Sequence, residues 1–256
     1  MHLFDFRTGS GPLLVSMPHV GTHVPPAIAA HFTDHARTLP DTDWNLPRLY
    51  DCLDALGASV QAATHSRYVV DLNRPPDNEN LYPGQDTTAL VPIDTSEKQP
   101  IYTGPVPDAA EIDARRTTYW QPYHDHLRTT LDAIRAKHGY ALLWEAHSIK
   151  SVLPRYFPGR LADLNLGTGG GKSAGAGLGK ALLAVGLRSP YSAVLDGRFK
   201  GGYITRHFGQ PATRIHAVQL ELSWATYMDE SHPYAFREDL AARLRPVLRE
   251  TLETYL

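Results

Sequence analysis

A chain of 256 residues with 42% hydrophobic and 20% charged residues has ordinary globular composition and enough length to bury a substantial core. Its formal net charge of −2, with the histidines neutral, leaves no global basic field of the kind a nucleic-acid binder carries. The single cysteine, Cys52, excludes a disulfide framework and a multi-cysteine zinc site, so any metal has to be held by His, Asp or Glu.

The opening Met1-His2-Leu3-Phe4-Asp5 lacks the basic and apolar regions of a signal peptide, and no apolar run approaches bilayer length. A cytoplasmic protein without a membrane partner is expected. Residues 13–17 read as a buried strand that stops at Pro18. Residues 44–56 read as a helix closed by Gly57, and 58–63 and 68–72 as two further strands. Residues 73–107 are rich in Pro, Asp, Asn and Gly, and a connection that long inside a domain is usually functional, such as a lid. Asp108 then caps a helix, with Glu111 three residues on as in a capping box, and Ile112, Tyr119, Tyr123, Leu127, Leu131 and Ile134 follow at helical spacing.

Residues 140–144 read as a strand running into Glu145-Ala146-His147-Ser148. A glycine-rich loop, 167–179, leads into a helix through Val185. Residues 191–195 and 215–222 read as strands, and 234–255 as a helix that Pro246 should kink or split. The alternation predicts an α/β fold, a three-layer, mostly parallel or mixed sheet with helices on both faces. No linker divides the chain, so residues 1–256 are read as one domain.

Several polar residues fall at strand ends, where open α/β sheets place their sites. His19 follows the first strand and a proline; its bland alternative is a surface-loop histidine. His23 lies four residues on, but Gly21 and Pro25-Pro26 argue against a helical His-x-x-x-His zinc motif. Of Asp41 and Asp43, one is expected to cap a helix and the other is free to ligate a metal. Strand alternation puts Glu145 and His147 on one face, where buried polar groups are costly unless paired or ligated. Gln219 and Glu221 also share a face, either the wet side of an edge strand or a general base in a cleft. Arg67, Arg74, Arg198 and Arg206 sit beside turns, and Arg74, fixed by two prolines, suits bidentate capture of a carboxylate.

Two motifs are rejected. Residues 166–173 resemble a phosphate-binding loop, but Leu166 stands where that loop needs glycine, and 160–165 make a poor buried strand ahead of it. No Gly-x-Ser-x-Gly elbow is present for a serine hydrolase.

Taken together, SMPHVG at 16–21, LPDTDW at 39–44, SRYVVDLNRPP at 66–76, YWQPYHD at 119–125, EAHSI at 145–149, GRFKGGYITRHFG at 197–209 and VQLELS at 218–223 resemble the N-formylglutamate amidohydrolase family, in its order and across most of the chain. The resemblance implies a fold similar to zinc carboxypeptidases and aspartoacylases. It also implies one zinc ion held by His19, His147 and Asp43, with Asp41 the alternative acid, and Glu221 as general base. Arg74, Arg206 and Arg67 correspond to substrate-carboxylate anchors, with Asn73 and Tyr203 beside them. The family carries Asp more often than Glu at position 145. The implied reaction is hydrolysis of N-formyl-L-glutamate to formate and L-glutamate at the end of histidine breakdown. The rival readings are a zinc deacylase of other N-acyl amino acids and a carboxylate-binding protein without catalysis.

Overall fold

The computed structural model describes residues 2–256; Met1, the first residue of the stretch read as leaderless, lies outside them. Seven strands form one sheet in the order β1-β3-β2-β4-β7-β5-β6. They are β1 (Phe4–Arg7), β2 (Leu13–Met17), β3 (Ser59–Ala63), β4 (Ala141–Ile149), β5 (Leu164–Gly167), β6 (Ala193–Leu195) and β7 (Ile215–Ser223). The four central strands, β3, β2, β4 and β7, pair in parallel, while β1 joins β3 and β5 joins β7 antiparallel, so the sheet is mixed and mostly parallel, as expected. The helices are α1 (Pro26–Ala29), α2 (Asp34–Arg37), α3 (Leu46–Leu49), α4 (Ala109–Arg115), α5 (Gln121–His138), α6 (Leu178–Arg188), α7 (Tyr203–Phe208) and α8 (Glu238–Tyr255). None is long and apolar enough to cross a membrane among the described residues.

Side-chain alternation sorts the strands onto two cores. Leu13, Val15 and Met17 of β2, Trp144 of β4, and Val218, Leu220 and Leu222 of β7 face one side, where Leu49 of α3, Leu182 of α6 and Leu244, Leu248 and Leu252 of α8 cover them. Leu14, Leu143 and Ala217 face the other side and meet Tyr123, Leu127 and Leu131 of α5 and Ile204 and Phe208 of α7. Each fully buried aliphatic side chain contributes about 1.5–3 kcal/mol of transfer free energy, so these two layers dominate the fold's stability. The layer under α5 and α7 is the one the site uses.

The structure departs from the sequence reading at several elements. Residues 44–56 do not form a long helix. Asn45 adopts a left-handed φ of 65°, only Leu46–Leu49 is helical, and turns follow to Gly57. Packing decides this, because the short helix and the turns after it bury Leu46, Leu49, Tyr50 and Leu53 and let the Tyr50 hydroxyl accept from Trp144 Nε1 at 3.2 Å. Residues 68–72 are buried but not a strand: Val69 N–H donates to Ser66 and Asp71 N–H to Leu90, so the run is apolar because it is enclosed. Residues 160–165 read as a poor buried strand, and only their last two residues belong to one: Leu164–Gly167 is a fully buried strand, while β1 is an edge strand that carries no clear pattern.

Residues 218–222 are not at an edge. β7 lies between β4 and β5, which removes the wet-face reading of Gln219 and Glu221. Pro246 neither splits nor ends α8, since Ala241, Leu244, Leu248 and Leu252 hold its apolar face against the sheet on both sides of the proline. The Asp108 cap is present, with Glu111 N–H donating to Asp108 Oδ1 at 2.9 Å. Between α4 and α5 the helix widens into a π turn at Arg116–Trp120, which the sequence does not announce, and Trp120 Nε1 there donates to the Arg74 carbonyl at 3.0 Å.

Candidate metal centre and its cavity

On the α5/α7 face, β4 reads Ala141, Leu143, Glu145, His147 and β7 reads Ile215, Ala217, Gln219, Glu221. Both change from apolar to polar as they leave the core. Their parallel register pairs Glu145 with Gln219 and His147 with Glu221. The strand next to β4, β2, ends at Met17, and Pro18-His19 then carries a third polar group over the same carboxyl edge. The sheet order therefore gathers three widely separated pieces of sequence.

His19, Asp43 and His147 are all buried and meet at one point, each offering a ligand atom within 4.8 Å of the others. The two imidazoles stand with centroids 4.8 Å apart. Asp43 Oδ2 lies 3.0 Å from His147 Nδ1 and 3.8 Å from His19 Nδ1. The far nitrogens face outward onto carboxylates: His19 Nε2 is 2.7 Å from Asp71 Oδ1, and His147 Nε2 is 2.7 Å from Glu145 Oε1. A carboxylate behind a histidine fixes the orientation of the ring, so the Nδ1 edge of each imidazole faces Asp43, where a bound cation would take the place of any proton.

The electrostatics agree with a cation at this point. Burial, joined by the Arg67 charge, holds the His19 pKa below its ordinary value, leaving a neutral ring with a lone pair to give. Burial acts the same way on His147, but the Glu145 and Asp43 carboxylates overcome it and raise its pKa well above the histidine range. The protein's own carboxylates thus draw positive charge to the place where the three ligand atoms converge. Asp71 is buried as well, which by itself favours its neutral form, yet Arg67 and then His19 hold its pKa well below the carboxylate range. The site is a candidate metal centre, and two imidazoles with a carboxylate fit a divalent ion of the zinc type.

Of the two aspartates, Asp43 joins the histidines. Asp41 lines the same cavity, but its Oδ2 accepts from the Tyr68 hydroxyl at 2.7 Å and from Ser96 N–H at 2.9 Å, which ties it to the neighbouring loop. Glu221 also lines the cavity, and its carboxylate has no hydrogen-bond donor among the described residues. Burial pushes its pKa up to about 8, against the pull of His147 and with Asp43 adding to the rise.

The residues read as substrate anchors divide. Arg74 and Asn73 line the cavity; Asn73 Nδ2 lies 3.0 Å from His147 Nε2, and Arg74 donates to Thr88 O and Oγ1 at 2.9 and 3.0 Å. Arg67 lines it too, but its Nη2 is spent on Asp71 Oδ2 at 2.6 Å. Arg206 is not at the cavity: it turns away to donate to Gly201 O at 2.8 Å and Leu81 O at 3.1 Å. Tyr203 also points elsewhere, into a cluster with Trp120, His124 and His207. Arg198, in the same basic stretch, does reach the cavity wall, a placement that the sequence does not distinguish from that of Arg206.

Helix α7 braces the site through the free N–H groups of its first turn. Gly202 N–H donates to Gln219 Oε1 at 2.8 Å, Ile204 N–H to Asn73 Oδ1 at 3.0 Å and Thr205 N–H to Glu145 Oε2 at 3.0 Å. The Thr205 hydroxyl also donates to Glu145 Oε2. Residues 73–107 run over the cavity and contribute Tyr82, Thr87 and Ser96 to its wall, with the Tyr82 hydroxyl donating to Gly201 O at 2.9 Å.

A sequence profile of the N-formylglutamate amidohydrolase family matches residues 11–228. The chain is 51% identical over 256 residues to the N-formylglutamate deformylase of Pseudomonas aeruginosa, covering 99% of this chain and 96% of the relative. It is 48% identical to the N-formylglutamate deformylase of Pseudomonas putida, with the same coverage. Among solved structures, an N-formylglutamate amidohydrolase from Ralstonia eutropha matches with a TM-score of 0.82 at 24% identity, covering 98% of this chain and 96% of the other. A protein from Agrobacterium tumefaciens matches at 0.74 and 19% identity, covering 98% and 94%. At those identities the two structures speak to the fold alone.

Proposed function

Because this chain belongs to the N-formylglutamate amidohydrolase family, we propose that it removes the formyl group of N-formyl-L-glutamate, giving formate and L-glutamate. The observation that carries the reading is the convergence of His19, Asp43 and His147 beside Glu221, a buried carboxylate with no hydrogen-bond donor among the described residues. Two imidazoles and one carboxylate form a ligand set used by hydrolytic zinc sites, and we assign zinc to it. When bound, a zinc ion polarises an amide carbonyl and makes water acidic enough to attack near neutral pH.

The chain's own residues supply the rest. Glu221 takes the proton from the attacking water and returns it to the amide nitrogen as the carbon–nitrogen bond breaks, so formate and the free amine leave with atoms balanced. Burial raises the proton affinity of this carboxylate, which suits a group that must hold a proton between the two transfers. Asp71 and Glu145 keep the two rings turned toward Asp43 throughout. Arg74, next in sequence to Asn73 and lining the same cavity as His147, receives the α-carboxylate of the substrate. With Cys52 free and buried, we place the enzyme in the reducing cytoplasm.

The test is a panel of N-formyl-, N-acetyl- and N-carbamoyl-L-glutamate, assayed with zinc and after chelation. The formyl substrate is expected to turn over fastest, and only with metal. Faster acetyl cleavage would move the enzyme to the deacylases, turnover of none would leave a carboxylate-binding protein, and full activity after chelation would remove the metal from the mechanism.

A further inference from the structure

Four Arg and Lys side chains line the cavity: Arg67, Arg74, Lys150 and Arg198. Two are already neutralised, Arg67 by Asp71 at 2.6 Å and Lys150 by Glu97 at 2.6 Å. Arg74 and Arg198 are paired with no carboxylate among the described residues; both bond only to neutral oxygens. A half-buried guanidinium without a counter-ion is costly, and two facing one cavity are costlier still, because their like charges repel. Burial holds Arg198 below the ordinary arginine value, and the Arg74 charge acts in the same direction.

Arg198 is also held in place. Its guanidinium carbon lies 5.3, 5.5 and 5.2 Å from the ring centroids of Tyr82, Tyr156 and Phe199. Its Nε donates to the Tyr156 carbonyl at 2.6 Å, its Nη2 makes only a 3.4 Å contact with Asp86 O, and its Nη1 has no protein acceptor among the described residues. The outer edge of a fixed, planar fork is therefore left for a ligand. Arg74 adjoins Asn73, whose amide touches His147, so Arg74 stands with the reacting amide and its α-carbon. The second cation then meets the group at the far end of the substrate.

We infer that Arg198 is the specificity residue, receiving the side-chain carboxylate of the amino acid while Arg74 receives the α-carboxylate. The inference rests on the proposed deformylase reading and deepens it by naming what selects glutamate. A dianion relieves both unpaired charges together, whereas an amide or thioether side chain leaves Arg198 buried without a counter-ion.

The experiment compares Arg198→Met, which keeps length and apolar bulk, with the wild type on N-formyl-L-glutamate and N-formyl-L-glutamine. For the variant, kcat/KM on the glutamate substrate should fall about 100-fold, the scale of a lost charge-assisted bidentate contact, and on the glutamine substrate by less than about threefold. Arg198→Lys should recover part of the preference. An equal fall on both substrates, or no fall on the glutamate substrate, would overturn the inference. Calorimetric binding of L-glutamate and L-glutamine to the same proteins reads the contact without turnover. If the wild type hydrolyses neither substrate, the deformylase reading fails, yet a glutamate preference lost in Arg198→Met still supports this inference, and an unchanged preference ends it.

Discussion

Thr205 and His147 are joined through one carboxylate: Thr205 donates its N–H and its hydroxyl to Oε2 of Glu145, and His147 Nε2 lies 2.7 Å from Oε1 of the same group. A helix of six residues thereby bears on the orientation of a candidate metal-binding histidine through that carboxylate.

Thr205→Val keeps the shape and the backbone N–H but deletes the hydroxyl donor. Outer partners of metal-binding histidines typically tune metal affinity by 10–100-fold. Affinity measured in competition with a chromogenic chelator should weaken about tenfold, and Thr205→Ser should restore it. Unchanged affinity would show that the hydroxyl has no part in tuning the metal centre.

Gly202→Ala should be harmful for a packing reason. A Cβ at this position would lie 2.3–2.5 Å from the amide atoms of Asn73, although the local φ of −83° suits any residue. Overpacking of this kind costs about 1–3 kcal/mol. The denaturation midpoint should fall accordingly, and kcat/KM should drop as Asn73 is pushed off His147. A variant with the wild-type midpoint would show that the loop yields freely.

Glu221→Gln removes the proton carrier while keeping volume. Bound metal should remain at the wild-type level by elemental analysis, with kcat lower by roughly two to four powers of ten. Near-normal turnover would exclude Glu221 from the proton path.

Removing the metal should cost both rate and stability, because a ligand that binds only the folded state stabilises it. Chelation is expected to abolish turnover and lower the melting temperature, and added zinc to reverse both. His19→Ala and His147→Ala should each lose the roughly one equivalent of metal expected for a mononuclear site. Full metal content in either variant would rule out that residue as a ligand.

Arg74→Ala should raise KM for N-formyl-L-glutamate more than it lowers kcat, since the contact is made to a part of the substrate that does not react. Steady-state kinetics decide it, and an unchanged KM would place the α-carboxylate elsewhere.

Although pattern alone leaves His19 as a loop histidine and Glu221 as the wet side of an edge strand equally open, the strand-end positions of His19, His147 and Glu221 are legible in the sequence, since open α/β sheets place their sites there. Asp71 is not. It sits in an enclosed apolar run that imitates a strand, and only the folded chain brings its carboxylate onto His19. Arg198 and Arg206 share one basic stretch, and spacing cannot say which faces the cavity; the path of α7, which turns Arg206 toward Leu81, settles that. The 44–56 stretch has helical periodicity, yet Asn45 and the demands of the core beneath Trp144 override it. Short-range pattern reveals which groups end a strand, while the partners behind them depend on long-range packing.

The last strand to leave the ribosome, β7, is inserted between β4 and β5 rather than added at a rim. Until it emerges, β5 and β6 have no hydrogen-bonded link to the earlier strands, and no nascent intermediate can hold both His147 and its register partner Glu221. Catalytic competence therefore arrives in one late step that also welds the two parts of the sheet together, so a protein truncated before residue 215 loses its chemistry and its architecture at the same stroke.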